Sequence, residues 1–125
     1  MNIPQGHQAV MPYLILENAS RFVDFVTSVF QAQIINVTRR PDDNDSIMHA
    51  EAIIEGSTMM FADATEQWLP QVAGLFVYVA DADAAFDKAV AAGGKVIMEL
   101  SDQDYGRTCG VQDPAGNTWW ITSVR

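Results

Sequence analysis

Two stretches of this chain are versions of one another, and that repeat limits the fold more than any other feature of the sequence. MPYLILEN at residues 11–18 and GLFVYVAD at residues 74–81 are both apolar runs ending in a small polar residue. A helical pattern follows each. In ASRFVDFVTSVF, Phe22, Phe25, Val26 and Val29 recur at helical spacing, and in ADAAFDKAVAAGG so do Ala82, Ala85, Phe86, Ala89 and Val90. Asn18 and Asp81 are the expected N-caps, because their side-chain oxygens can accept the unpaired N–H groups of a first helical turn. Each helix then leads into a strand, QIINV in one half and KVIMEL in the other. Two further β segments complete each half: IMHAEAIIEG with STMMFAD, joined at Glu55-Gly56-Ser57, and RTCGVQD with TWWITSV, joined at Pro114-Ala115-Gly116-Asn117.

The expectation is an α+β fold, one domain over residues 1–125, made of two β-α-β-β-β modules at about 9–65 and 74–125. A linker at about 66–73 carries Pro70 as its breaker. One helix covers only one face of a four-stranded sheet, so the two sheets are expected to curl their free faces around a shared concave pocket, the default place for a ligand.

Composition removes several classes of function. An apolar content of 49% suits a globular domain. No run approaches the roughly 18 apolar residues of a membrane span, and MNIPQGHQAV lacks the charged and apolar regions of a secretion signal, so a soluble, cytoplasmic protein is expected. Sixteen acidic residues against seven basic ones give a net charge of −9, with no basic cluster beyond Arg39-Arg40. Such an acidic surface repels phosphate backbones, so neither nucleic acid nor an anionic membrane is an expected partner. The single cysteine, Cys109, has no disulfide partner in the chain and reads as a buried thiol in a strand. No phosphate-cradling glycine loop, nucleophile elbow, Cys-x-x-Cys or His-Glu-x-x-His is present.

PYLILENASRFVDFV, MHAEAIIEGSTMMFAD, VADADAAFDKAVAAGGKV and YGRTCGVQDPAGNTWWI together resemble the glyoxalase / bleomycin-resistance / extradiol-dioxygenase (vicinal oxygen chelate) superfamily. The most specific of these is Asp-Pro-x-Gly-Asn ahead of an aromatic strand. The resemblance implies a homodimer with each pocket in a curled sheet. It also implies, for metal enzymes of the superfamily, ligands on the first and last strands of each module. Those positions fall on Met11, about Met60, Gly74 and Trp120, none an oxygen or nitrogen ligand for a divalent ion. No metal and no cofactor is therefore expected there.

Strand side chains alternate faces. With Met11 and Trp120 turned into the concavity, Tyr13, Ile15, Met60, Ala62, Phe76, Tyr78 and Thr122 join them, while Leu14, Leu16, Met59, Phe61, Leu75, Val77, Val79, Trp119 and Ile121 cover the helices. The expected ligand-binding set is Met11, Tyr13, Met60, Phe76, Tyr78, Trp120 and, as a grip for an anionic group, Arg107 in DYGRT. This is a pocket for a small molecule that is planar or largely apolar. Aromatic strand residues are also common in cores and dimer interfaces, and Arg107 has many acidic neighbours to pair with.

His49 and Glu51 are the chemistry-capable pair. They stand two apart on one face of a strand, so they can serve as a general base and its partner, or as two ligands of a relocated metal site completed by Gln112 or Asp63. The alternative function is accordingly a metal-dependent lyase, isomerase or dioxygenase. A half-exposed cross-strand pair without chemistry is the plainer reading. His7 falls in an N-terminal segment expected to be mobile.

Overall fold

The computed structural model describes residues 1–124. It contains β1 (Tyr13–Leu16), α1 (Ala19–Phe30), β2 (Gln33–Arg40), β3 (Asp43–Ile54) and β4 (Ser57–Asp63), then β5 (Gly74–Tyr78), α2 (Ala82–Ala91), β6 (Lys95–Gln103), β7 (Gly106–Gln112) and β8 (Thr118–Ser123). The two sheets have the same topology, β1-β4-β3-β2 and β5-β8-β7-β6, with the first strand of each module parallel to the last and the remaining pairs antiparallel. No helix among the described residues is long and apolar enough to cross a membrane.

The alternation read from the sequence becomes the register. Tyr13 pairs with Met60 and Ile15 with Ala62; in the second sheet Phe76 pairs with Trp120 and Tyr78 with Thr122. The complementary set forms the core. Leu14, Leu16, Phe61, Trp119 and Ile121 are buried under the helices, with Phe22 of α1 against Phe61 at 5.0 Å between ring centroids. One core serves both modules, because α1 packs on α2 and Phe30 of α1 reaches Trp119 of β8 at 4.8 Å. The faces joined within one chain are thus the helix-bearing ones. The rings on the opposite faces stay open, with Tyr13 46%, Phe76 49% and Tyr78 62% exposed.

Helix starts follow the expectation at only one of two places. Asp81 caps α2, its Oδ1 accepting from Ala84 N at 3.1 Å. Asn18 does not cap α1: its backbone is left-handed, at φ 62°, and its side chain makes no capping bond. Asp63, at the end of β4, takes that role, with Oδ1 accepting from Ala19 N at 2.7 Å and Oδ2 from Ile47 N at 2.7 Å. The cause is the parallel pairing, which sets Asp63 beside Leu16 at the mouth of the helix. The second module repeats the device, Ser123 Oγ accepting from Ala82 N at 3.2 Å. Both helices are followed by a left-handed residue, Gln31 (φ 52°) after α1 and Gly93 (φ 94°) after α2.

The Asp-Pro-Ala-Gly-Asn turn is held by one side chain. The buried Asp113 carboxylate accepts from Ala115 N (2.8 Å) and Asn117 N (3.0 Å) through Oδ1, and from Asn117 Nδ2 (3.0 Å) and Trp119 Nε1 (2.8 Å) through Oδ2. Asn117 Oδ1 in turn accepts from Ala73 N at 3.0 Å, which ties the turn to the start of the second module.

Candidate functional site

On the second sheet, the face away from α2 is a row of rings. Phe76 and Tyr78 meet edge to face at 5.3 Å, and Tyr105, beyond the end of β6, lies 6.2 Å from Phe76. Trp120 stands next to Phe76 in register, and its six-membered ring lies against Gly110 of β7. A Cβ at Gly110 would come within 2.4 Å of Trp120 Cζ3 and 2.8 Å of Cε3, so the seat exists only because residue 110 has no side chain. Nothing in the sequence alone linked Gly110 to Trp120. Beneath the rings, Thr108 and Thr122 satisfy each other's hydroxyls at 2.8 Å.

The equivalent face of the first sheet is polar. Met60 lies between Tyr13 and Glu51 in register, so Glu51 occupies the place that Gly110 holds in the second sheet. Its carboxylate is 5% exposed, far less than a half-exposed cross-strand pair, and it is surrounded by donors. His7 Nε2 lies 3.0 Å from Oε1, Asn36 Nδ2 donates to the same oxygen at 3.2 Å, and His49 Nε2 stands 3.6 Å from Oε2. The His7 contact, aided by Asn36 and His49 and opposed by burial, holds the Glu51 carboxyl below its ordinary value of 4.5. Asn36 reaches the carboxylate from a bulge in the β2–β3 pairing, where its φ is 54°. Tyr13 hydroxyl and His49 Nδ1 are 3.1 Å apart. With the imidazole proton on Nε2, toward the carboxylate, Nδ1 is left to accept from the Tyr13 O–H. His7, expected to be mobile, is instead fixed here by a contact 44 residues away in sequence.

Two cavities adjoin these faces. One, of about 640 Å³, lies over the first sheet and is bounded by Tyr13, Ile15, Arg40, Met48, Ala62, Asp63 and the segment Gln67–Gln71. That segment is fastened to the edge strand by paired Ile15 and Gln71 backbone hydrogen bonds. The other, about 400 Å³, runs between the modules past Thr58, Phe76 and Tyr78. The expected ligand-binding residues are therefore divided: Tyr13 borders the first cavity and Phe76 and Tyr78 the second. Met11, Met60 and Trp120 line neither. Trp68, in the linker and not among the expected binding residues, is a wall of the larger cavity; an aromatic beside Leu69 and Pro70 in a short connection is the available signal.

Arg107 is engaged by acidic neighbours, the plainer of the two readings its sequence context allows. It lies on the helix-bearing side of β7, where Nε and Nη2 donate to the two carboxylate oxygens of Asp83 at 2.9 and 3.3 Å, with Asp102 3.6 Å from Nη1. Strand alternation explains this, since Thr108 faces the rings and its neighbour must face α2.

A divalent ion does not suit the four inherited positions. Met11 and Met60 offer thioethers, Gly74 offers no side chain, and Trp120 is packed on Gly110 with an indole N–H that only donates. Of the third ligands considered for a site at His49 and Glu51, Asp63 has both oxygens engaged by backbone N–H groups. Among the described residues no group of three His, Cys, Asp or Glu side chains is arranged to hold a metal ion.

The paired modules have known counterparts. TioX from Micromonospora sp. ML1 superposes with a TM-score of 0.72 at 25% identity, over 94% of this chain and 97% of that one. TnmS3, described as an antibiotic binding protein from Streptomyces sp. CB03234, does so with a TM-score of 0.71 at 16% identity, over 95% and 100%. In sequence, the uncharacterized protein Rv0887c of Mycobacterium tuberculosis is 31% identical over 127 residues, covering 89% of this chain and 71% of that protein. The family model of the Glyoxalase/Bleomycin resistance protein/Dioxygenase superfamily matches residues 7–121, which takes in both modules and the terminal Asp-Pro-Ala-Gly-Asn turn. With the repeated β-α-β-β-β topology and that match over nearly the whole chain, the protein belongs to the glyoxalase / bleomycin-resistance / dioxygenase superfamily.

Proposed function

We propose that this protein binds a planar, largely apolar small molecule against the ring-bearing faces of its sheets, and that it does so as a homodimer in the cytoplasm. The observation that carries the reading is the row of Phe76, Tyr78, Tyr105 and Trp120 on the helix-free face of the second sheet. Three of these rings are about half exposed or more, and each ring covered by a flat ligand adds about 0.5–1.5 kcal/mol beyond area burial. Within one chain the helix faces pack together and the ring faces look outward, so a second copy is what encloses a ligand between them. The antibiotic-binding description of TnmS3, a protein of the same fold, supports a binding role. The net charge of −9 disfavours nucleic acid as the ligand.

The test uses methyl 2-naphthoate as a flat uncharged probe. Trp120→Ala is expected to weaken its binding by about 1–3 kcal/mol in calorimetry, and an unchanged affinity removes the reading. Sedimentation equilibrium checks the dimer, and a monomer at every concentration removes that part.

One observation favours a second, enzymatic reading: the chain of contacts from Tyr13 through His49 to Glu51. Here Glu51 orients the imidazole and His49 exchanges a proton with the Tyr13 hydroxyl, a bound substrate standing at that hydroxyl. A metal-dependent form of this reading requires a divalent ion bound in stoichiometric amount and lost on His49→Ala. Elemental analysis before and after incubation with nickel, cobalt, manganese or iron(II) decides that form.

A further inference from the structure

We propose that the 640 Å³ cavity over the first sheet is a binding site for a flat carboxylic acid, with Arg40 taking the carboxylate and Tyr13 and Trp68 the ring system. The inference rests on the small-molecule reading above and adds the ligand's charge and the place of its anionic end.

Arg40 belongs to the only basic pair in an acidic sequence. Its guanidinium is fixed in place by acceptors that carry no charge: Nη1 donates to Ser46 Oγ (2.5 Å) and the Ile47 carbonyl (3.0 Å), and Nη2 to the Asp63 carbonyl (3.1 Å). No carboxylate closes an ion pair on it among the described residues, whereas Arg107 is held by Asp83. Three of its five N–H groups are so used, leaving the Nε–H and one Nη2–H without a protein acceptor among the described residues. Asp63, the other charged wall residue, has its two oxygens committed to Ala19 N and Ile47 N. The cavity wall thus carries a prepositioned cation with no carboxylate in ion-pair contact among the described residues, and a guanidinium with two free donors suits the two oxygens of a carboxylate.

The remaining walls suit a ring system. Trp68, Leu69 and Met48 are exposed apolar side chains on the same cavity, and the Tyr13 hydroxyl, engaged with His49 Nδ1, is a further polar fixture. The volume falls within the roughly 300–1,000 Å³ usual for ligand sites. With a net charge of −9 the protein as a whole repels anions, so a preference for an acid over its neutral ester has to come from a local cation.

The experiment compares 2-naphthoate with methyl 2-naphthoate by calorimetry at pH 7 on the wild-type protein and on Arg40→Gln. The wild type is expected to bind the acid about tenfold or more tightly than the ester, and Arg40→Gln to abolish that preference while the ester's affinity stays within about twofold. Because Arg40 also ties the β2–β3 hairpin to β4, circular dichroism and the urea midpoint of the variant report whether its fold is intact. If it is not, the Arg40 Nε–H resonance of the wild type decides: a shift with the acid and none with the ester supports the site, and equal or absent shifts overturn it. No preference in the wild type, or a preference unchanged in Arg40→Gln, also overturns it. Ester binding that is lost on Trp120→Ala while no acid preference appears sinks this inference alone; no binding of either compound sinks the functional reading with it.

Discussion

Asp113 is a single side chain on which the end of the second module depends, and its removal gives a calculable loss. The carboxylate is 4% exposed and accepts four hydrogen bonds, two from backbone N–H groups and two from the side chains of Asn117 and Trp119, themselves buried. A net contribution of about 0.5–1.5 kcal/mol per bond, with the added cost of leaving buried donors unpaired, gives about 3–5 kcal/mol for Asp113→Ala. Asp113→Asn sharpens the argument. The amide keeps the shape and one oxygen, so the bonds to Ala115 N and Asn117 N survive. Its NH2 then faces the Asn117 amide and the Trp119 indole donor to donor, and roughly half of the loss, about 1.5–3 kcal/mol, remains. Urea unfolding followed by circular dichroism measures both, an unchanged m-value showing that the midpoint shift reports stability and not a change in the surface exposed on unfolding. A difference under about 0.5 kcal/mol between Asp113→Asn and wild type would refute the reasoning, because it would mean that the indole and amide donors find other acceptors without cost.

Three further outcomes are expected. Gln31→Gly relieves a left-handed residue at the end of α1 and should stabilise the protein by up to about 1 kcal/mol in the same assay; a loss of stability would show that the Gln31 side chain contributes more than its backbone costs. Glu51 is held below its ordinary carboxyl value, so the stability it adds is fully present above about pH 4.5 and disappears as pH falls through the lower folded value. The stability difference between wild type and Glu51→Gln, followed from pH 6 to pH 3, should therefore shrink toward acid, and a flat profile counts against the His7 and Asn36 contacts. Burial pushes the Cys109 thiol up to about 11, so Ellman's reagent at pH 8 should leave it unmodified in the native protein and react fully in denaturant; fast native labelling would contradict its position in the core.

What the sequence made legible were the features that repeat at short range. The 63-residue offset between MPYLILEN and GLFVYVAD locates both first strands, and period-two alternation separates Leu14, Phe61, Trp119 and Ile121, which enter the core, from Tyr13, Phe76, Tyr78 and Trp120, which do not. Of the two adjacent tryptophans, Trp119 is a core residue whose indole is anchored by Asp113, and Trp120 alone reaches the helix-free face. What stayed hidden depends on which strands become neighbours. Asn18 had the right chemistry for a cap, but parallel pairing of β1 with β4 delivers Asp63 to the same helix with both oxygens aimed at backbone donors, and a local rule has no access to that competitor. For Arg107 the sequence left an anion grip and an acidic partner both open, and only the strand pairing, which turns it toward Asp83 of α2, distinguishes them.

The candidate site was hidden for the same reason, and the two sheets show how much one position decides. Glu51 and Gly110 are equivalent, each beside the last strand of its module, at Met60 and Trp120 respectively. A glycine there lets an indole lie flat and makes an apolar platform; a glutamate gathers His7, Asn36 and His49 and makes a polar cluster. Two modules with one topology thus carry opposite faces, one suited to stacking and one to hydrogen bonding and proton exchange. Under the proposed homodimeric binding role, a ligand with a flat apolar body and a single polar end is the molecule that would satisfy both faces.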